Sequence, residues 1–135
     1  MPTLVLKVTR LHNPDRYHPL ARALTDLTVE LLGKKREVTA VVIENLPAAQ
    51  WHIGGEPVAL PTALLEISIT EGTNTDEEKA AFIAAAFAEL QRQLAPGAAL
   101  ANASYVIVRE LPAQNWGYAG TTQLARRQQA LLLPA

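Results

Sequence analysis

The sequence predicts an α/β (α+β) fold in which a βαβ unit is written twice, so that a four-stranded sheet carries two helices on one face. The first observation is a near repeat: LPAAQW at 46–51 returns as LPAQNW at 111–116. A β-branched run precedes each copy, VVIEN and VIVRE, and a glycine-containing stretch follows it, HIGGEP and GYAGTT. At 135 residues the chain is expected to form a single domain over 1–135, with one unit at about 1–60 and the other at about 61–135.

Strands are predicted wherever apolar residues alternate with other residues. Leu4, Leu6 and Val8 alternate in this way near the start of the chain, and a matching alternation begins at Leu65. A period of two is typical of a strand with one buried face. Two further strands are predicted near 38–44 and 104–109, directly before the LPA segments.

A helix is predicted between the two strands of each unit. In the first unit the apolar residues have a period near 3.6, at Leu20, Leu24, Leu27 and Leu31. In the second unit Thr75 and Glu78 have the spacing of an N-cap and its capping-box partner, and strong helix formers follow. Gly33 is expected to end the first helix, and Pro96-Gly97 follows the second.

The predicted crossovers fix the layout of the sheet. A βαβ crossover makes its two strands parallel and leaves its helix on one face, so two units side by side put both helices on the same face. The other face would carry Val5, Lys7 and Thr9. Its polarity is mixed, so the pattern does not assign it as buried or exposed. Because that face needs a cover, association with further copies of the chain is expected.

Composition excludes several classes of function. A net charge of −1 gives no reason to expect a nucleic-acid or membrane partner. The chain has no cysteine, which excludes disulfides and thiolate metal sites, and no apolar run long enough to span a bilayer, so a soluble cytoplasmic protein is expected. His12, His18 and His52 share no metal-ligand spacing, and neither a metal nor a cofactor is expected.

Several of these segments together resemble the tautomerase superfamily. Met1 is followed by Pro2 at the start of a strand, a βαβ unit follows, and a glycine-rich hairpin follows that unit. HIGGE at 52–56 is similar to the end of 4-oxalocrotonate tautomerase, and ITEGTNTDEEK at 69–79 is similar to its first strand, turn and helix start. The two-unit length resembles the fused members, and also the macrophage migration inhibitory factor and cis-3-chloroacrylic acid dehalogenase branches. The resemblance implies a homotrimer built from six βαβ units.

The resemblance also implies a catalytic role for Pro2. Once Met1 is removed, the proline nitrogen is a secondary amine, and burial or nearby cations would lower its pKa toward neutrality, as a general base requires. The implied activity is a keto–enol tautomerase, an isomerase acting on a small 2-oxo or 2-hydroxy unsaturated carboxylic acid. The alternative is that Pro2 merely begins an edge strand. Pro61 begins the second unit in a similar way, but its nitrogen is an amide and cannot act as a base.

Further candidate substrate-binding residues come from the same resemblance. Lys34, after the first helix, corresponds to a pocket lysine of the macrophage migration inhibitory factor branch, and Tyr105 to its pocket tyrosine. Trp116 and Trp51 correspond to the aromatic wall of the 4-oxalocrotonate tautomerase pocket, with Trp116 favoured because it comes from the half that lacks Pro2. The alternatives are a solvated helix end for Lys34 and ordinary packing for the aromatic residues.

The arginines that hold the substrate in 4-oxalocrotonate tautomerase are missing. Their positions fall on Thr73 or His12, and on Tyr105 or Ala40. Arg10 and Arg109 are therefore added as candidate substrate-binding cations, contributed from neighbouring units.

Two alternative functions stay open. The paired arginines of the dehalogenase branch would fall on Thr70 and Thr73, which disfavours a dehalogenase or hydratase-type activity. The other alternative is a non-catalytic relative that keeps the trimeric scaffold as a binding module.

Overall fold

A computed structural model describes residues 2–132, so Met1, whose removal the sequence-based mechanism requires, lies outside the described residues. The helices and strands, in chain order, are β1 (Thr3–Thr9), α1 (Tyr17–Leu32), β2 (Ala40–Leu46), β3 (His52–Ile53), β4 (Glu56–Pro57), β5 (Ala63–Thr70), α2 (Asp76–Leu94), β6 (Tyr105–Leu111), β7 (Gly117–Tyr118), β8 (Thr121–Thr122) and α3 (Gln123–Leu132).

The four long strands form one mixed sheet in the order β2-β1-β5-β6. Strand β1 is parallel to β2, β5 is parallel to β6, and the two central strands are antiparallel, with Thr3 opposite Ser68. Each parallel pair is one βαβ unit, and the antiparallel contact joins the two units. The predicted duplication of the βαβ unit is confirmed.

Both long helices cover the same face of the sheet, as predicted. The core lies between this face and the helices, and its fully buried members include Leu4, Leu6 and Val8 of β1, Leu65, Ile67 and Ile69 of β5, Leu20 and Leu24 of α1, and Phe82, Ala86 and Leu90 of α2. Alternate residues of each central strand thus supply one half of the core, and every fourth helix residue supplies the other. In α1 the buried positions continue to Thr28 and Leu32, whereas Leu27 and Leu31 are only partly buried.

The opposite face of the sheet, which we call the open face, has no helix over it among the described residues. It consists of alternate residues of the four strands: Thr3, Val5, Lys7, Ala40, Val42, Glu44, Leu64, Glu66, Ser68, Tyr105, Ile107 and Arg109. Val42 and Ile107, on the two edge strands, remain 57% and 38% exposed. Thr9 was predicted to lie on this face. It is instead buried and accepts a hydrogen bond from the backbone N–H of Thr62.

The outer strands and the C-terminal segment differ from the sequence-based expectation. Strands β2 and β6 begin at Ala40 and Tyr105, slightly later than predicted, and a short 3₁₀ turn at Arg36–Val38 occupies the start of the predicted β2. Helix α3 was not predicted at all. The first unit has prolines at the equivalent place, in EPVALP, so the repeat gave no sign of a helix there.

No helix within residues 2–132 combines the length and apolar character needed to cross a bilayer.

Candidate functional site

Pro2 lies directly before β1, at the end of the sheet where this strand begins. It is buried, and its carbonyl oxygen accepts a hydrogen bond from the backbone N–H of Ala40 over 3.2 Å. Thr3 pairs with Ser68, so continuation of the antiparallel register puts Pro2 opposite Ile69, one residue before the end of β5 at Thr70. The candidate base is therefore at the end of the sheet where β5 and β6 terminate.

A cavity of about 300 Å³ opens at this end of the sheet. Its walls come from three parts of the chain: residues 33–35 and Val38 after α1, Thr70 and Thr73 at the end of β5, and Tyr118, Gln123, Arg126 and Arg127 from the second hairpin and α3. Pro2 is not one of these lining residues. The strand register nevertheless brings it close to Thr70, and Thr70 does line the cavity. The cavity thus combines a predicted site residue, Lys34, with residues that the sequence analysis did not select.

Lys34 enters the cavity because α1 ends directly before it. Gly33 has a φ of 68°, the left-handed conformation that glycine adopts at little cost, and its N–H closes the helix on Val29 O. The Lys34 amine donates to the hydroxyl oxygen of Thr73 over 2.9 Å. Burial lowers the pKa of Lys34 below its usual value, while the nearby carboxylates of Glu78 and Glu110 act in the opposite direction. Lys34 therefore contributes a partly desolvated cation to this end of the sheet.

Trp116 lies behind the cavity wall. Its indole N–H donates to the hydroxyl of Thr70 over 3.2 Å, and Thr70 lines the cavity. Trp51, the corresponding residue of the first unit, lines a different cleft together with Tyr105. Within one chain the two Trp residues thus lie in different clefts, and the role of Trp116 as the aromatic wall of a substrate pocket stays a prediction.

The hairpin of β7 and β8 positions the far wall of the cavity. Its turn residues Ala119 and Gly120 have φ values of 52° and 80°, and two positive φ angles are the requirement of a type I′ turn. Gly117 faces the partner strand so closely that an added Cβ would lie 2.0 Å from the carbonyl oxygen of Thr121. Only glycine fits there, and the tight hairpin that results leads directly into α3.

Helix α3 contributes cavity-lining residues that the sequence analysis did not select. Arg126 stacks its guanidinium 3.7 Å from the centroid of the Tyr118 ring, and its Nη2 donates to the Tyr118 carbonyl oxygen over 2.9 Å. Gln123 begins the helix, with its backbone N–H bonded to Trp116 O over 2.9 Å. The available signal was the basic pair in TTQLARRQQ, which has no counterpart in the first unit.

Arg10 and Tyr105 lie at the other end of the sheet within one chain. Arg10 follows the last residue of β1, and its Nη2 donates to the carbonyl oxygen of Val58 over 3.1 Å. Tyr105 is 63% exposed and pairs with Leu64, which itself pairs with Lys7. Lys7 is five residue steps along the strand from Pro2, roughly 17 Å at the usual rise. Either residue could approach Pro2 only from another copy of the chain, so both remain predictions.

Arg109 lies on the open face, away from the cavity walls. It pairs with Ser68 in the register, and Ser68 pairs with Thr3, so Arg109 is at the Pro2 end of the sheet but two strands from β1, roughly 10 Å at the usual strand spacing. Its guanidinium is 3.5 Å from the carboxylate of Glu66. Its proposed role in substrate binding also stays a prediction.

Comparisons with known proteins agree with this architecture. A family model described as tautomerase enzyme matches residues 3–60. A native fused 4-OT of known structure is 30% identical, with a TM-score of 0.75 over 91% of this chain and 97% of its own. A second fused 4-OT, described as a wild-type symmetric trimer, is 25% identical, with a TM-score of 0.79 over 92% of this chain and 98% of its own. No curated protein sequence gives a significant match.

A more distant neighbour supports the fold alone. A macrophage migration inhibitory factor-like protein from Entamoeba histolytica is 17% identical, with a TM-score of 0.71 over 90% of this chain and 97% of its own. The match extends over both βαβ units of this chain. The identity of 30% to a fused 4-OT across nearly the whole of both chains, together with the family model over the first unit, shows that the chain belongs to the tautomerase superfamily.

Proposed function

We propose that the protein is a keto–enol tautomerase that uses Pro2 as its general base on a small 2-oxo or 2-hydroxy unsaturated acid. The observation that carries this proposal is the cation-lined cavity at the end of the sheet where β1 begins. A base and a positive charge at one end of a sheet are the two requirements of enolisation: one removes the proton, and the other stabilises the resulting oxyanion.

Pro2 is suited to this role if the chain loses Met1. Its nitrogen would then be a secondary amine, and the burial of Pro2 would disfavour the charged form and lower the pKa of the amine. The hydrogen bond from Ala40 to the Pro2 carbonyl and the strand that starts at Thr3 hold the residue in place. A fixed base can return the proton to another carbon of the same intermediate, which completes the isomerisation without a second base.

Lys34 would supply the positive charge. Its desolvated amine interacts more strongly with an anion than a solvated lysine would, because the local dielectric is lower. The amine already donates to Thr73, so it is oriented before a substrate enters. A carboxylate or enolate oxygen of the substrate is the expected partner.

The experiment that tests the proposal compares the two prolines that precede the first strand of each unit. Pro61 begins the second unit as Pro2 begins the first, and its carbonyl accepts from Ala101 N over 2.9 Å, but its nitrogen is an amide. Pro2→Ala should lower the turnover of phenylenolpyruvate or 2-hydroxymuconate by at least about 10²-fold, the usual contribution of a positioned general base. Pro61→Ala should keep the wild-type rate.

Mass spectrometry of the purified protein must accompany these rates. The proposal requires a chain that begins at Pro2, since a peptide bond to Met1 would leave no free amine. Wild-type turnover in Pro2→Ala, or equal losses in both proline variants, would contradict the role of Pro2 as base. A trimeric wild type with a free Pro2 amine and no turnover of either compound would indicate the non-catalytic relative.

We also propose that three copies assemble through the open face. Two fused 4-OT structures similar to this one are described as trimers, one symmetric and one asymmetric. The open face carries exposed apolar side chains on both edge strands, Val42 and Ile107 among them. Assembly would bury this surface and could bring Tyr105 or Arg10 of one copy toward Pro2 of another.

A further inference from the structure

The α3 wall of the cavity carries hydrogen-bond donors that have no acceptor. The Nε2 of Gln123 and the Nε of Arg126 are both buried, and neither has a partner among the described residues. Leaving a buried donor unpaired costs about 1–3 kcal/mol, and more when the group is charged. Two such donors one helical turn apart, on side chains that line the same cavity, indicate a missing acceptor.

Positive charge on the same walls also lacks a counterion. Across residues 2–132, no carboxylate oxygen lies within 4.0 Å of a side-chain nitrogen of Lys34, Arg126 or Arg127. The two carboxylates that act on Lys34 have partners of their own. Glu110 accepts from Lys79 over 2.8 Å, and Glu78 accepts from the backbone N–H of Thr75 over 2.8 Å. The acceptor that fits the cavity is therefore an anion.

The guanidinium of Arg126 is fixed in its place before any ligand binds. The ring of Tyr118 lies against its face, and the Tyr118 carbonyl takes the Nη2 donor. A guanidinium held in one orientation loses less entropy when it binds, and its planar array of donors matches a carboxylate. Tyr118 and Val38 give the same cavity an apolar part next to the cations.

From these contacts we infer that Gln123 and Arg126 of α3 form the carboxylate-binding site of this protein, in place of the arginines that the sequence lacks at 12 or 73 and at 40 or 105. The ligand is a compact organic monocarboxylate whose carboxylate accepts from the Gln123 amide and the Arg126 guanidinium. That this carboxylate belongs to the substrate rests on the function proposed above, whereas the binding of a carboxylate at α3 does not.

Equilibrium binding tests the inference without relying on turnover. Calorimetric titration with 3-phenylpropionate should give saturable binding to the wild-type protein, and the uncharged 3-phenylpropionamide should bind at least about 10-fold more weakly. Arg126→Gln should weaken carboxylate binding by about 10- to 100-fold, the range of a charge-assisted hydrogen bond. Arg126→Lys should recover part of this loss, because it restores the charge without the fixed Nε donor.

The matched control removes the same charge from another surface. Arg22 is exposed in the first half of α1, eleven residues before Gly33, or roughly 16 Å along the helix, and Arg22→Gln should bind 3-phenylpropionate like the wild type. Gln123→Ala should weaken binding by several-fold, and it keeps the test decisive if circular dichroism finds Arg126→Gln unfolded. Inorganic phosphate should compete only weakly, since a site for free phosphate would not need the apolar wall.

Kinetics on phenylenolpyruvate separate this inference from the proposed function. Arg126→Gln should raise KM more than it lowers kcat, because a charge that holds a spectator carboxylate binds the ground state and the transition state alike. Carboxylate binding that depends on Arg126 in a protein without tautomerase activity would overturn the proposed function and leave this site intact. The inference itself is overturned if the wild type does not bind 3-phenylpropionate, if the amide or phosphate binds equally well, or if Arg126→Gln binds like the wild type.

Discussion

The side-chain amine of Lys34 donates a hydrogen bond to the hydroxyl of Thr73 over 2.9 Å, and this contact joins the two βαβ units at the candidate site. Lys34 follows the helix of the first unit, and Thr73 follows the first strand of the second. Asn74 adds a parallel link, since its side-chain amide donates to Leu32 O over 3.0 Å. The cavity is therefore formed jointly by both units, and neither unit would form it alone.

The lowered pKa of Lys34 predicts how anion binding depends on pH. The amine carries its charge below its pKa and loses it as the pH rises through that value, so carboxylate affinity should fall at a lower pH than for an ordinary lysine. Glu78 and Glu110, whose pKa values are lowered by their hydrogen bonds with Thr75 and Lys79, stay ionised throughout this range. Titration of 3-phenylpropionate affinity from about pH 7 to about pH 11 measures the effect.

Two variants assign this alkaline loss to Lys34. Lys34→Arg should retain affinity to higher pH, because a guanidinium stays protonated. Lys34→Met should bind more weakly at neutral pH and lack the Lys34-dependent fall. An unchanged alkaline fall in Lys34→Met would mean that another group titrates at the site.

Gly117→Ala should disrupt the hairpin that positions α3. Its new Cβ would meet the Thr121 backbone at 2.0 Å, so the two short strands must separate, at a cost of about 1–3 kcal/mol of unfolding free energy. Because α3 follows β8 directly, binding of 3-phenylpropionate should be lost as well. Gly54→Ala in the first hairpin is the matched control: its Cβ meets nothing within 4 Å, and although its φ of 63° strains an alanine, that hairpin does not line the cavity. If both variants bind the carboxylate equally, the second hairpin does not hold the site.

The capping box of α2 should contribute to stability by its hydrogen bonds rather than by its charge. Thr75 Oγ1 accepts from Glu78 N over 3.1 Å, and the Glu78 carboxylate accepts from Thr75 N. Thr75→Ala should lower the unfolding free energy by about 1 kcal/mol, whereas Thr75→Ser, which keeps the acceptor, should lose only a small part of that. Urea denaturation measures both, and equal losses would show that the methyl group matters more than the hydroxyl.

Local patterns were sufficient to predict most of the fold. The period-two strands, the capping box at Thr75 and the terminating Gly33 depend on neighbouring residues, and each is present in the structure. The site was harder to predict, because its cavity joins segments far apart in the chain. Lys34 could be selected by resemblance, but Arg126 could not, since the repeat gave no reason to expect a helix after the second hairpin.

Arg10 illustrates the same limit in the other direction. In the sequence it lies two residues before His12, one of the positions of the missing arginines, and its charge made it a candidate cation contributed from a neighbouring unit. A strand of seven residues separates it from Pro2 of its own chain, so within one chain Arg10 is at the far end of the sheet and donates to Val58 O. Residues a few positions apart along an extended strand lie far apart in space. This separation excludes a contact only once the strand has been assigned.

The last prediction concerns assembly through the open face, and two isoleucines with equal exposure provide its test. Ile107 on β6 points to the open face and Ile83 lies on α2, and both are 38% exposed in the single chain. If three copies pack through the open face, Ile107→Lys would bury an unpaired charge in an interface, which costs several kcal/mol, and the trimer should dissociate. Ile83→Lys places the same charge on the helical side and should leave the trimer intact. Sedimentation velocity at micromolar concentration measures the oligomeric state of both variants and of the wild type. A wild type that sediments as a monomer would contradict the assembly, and a trimer that survives Ile107→Lys but not Ile83→Lys would place the interface on the helices.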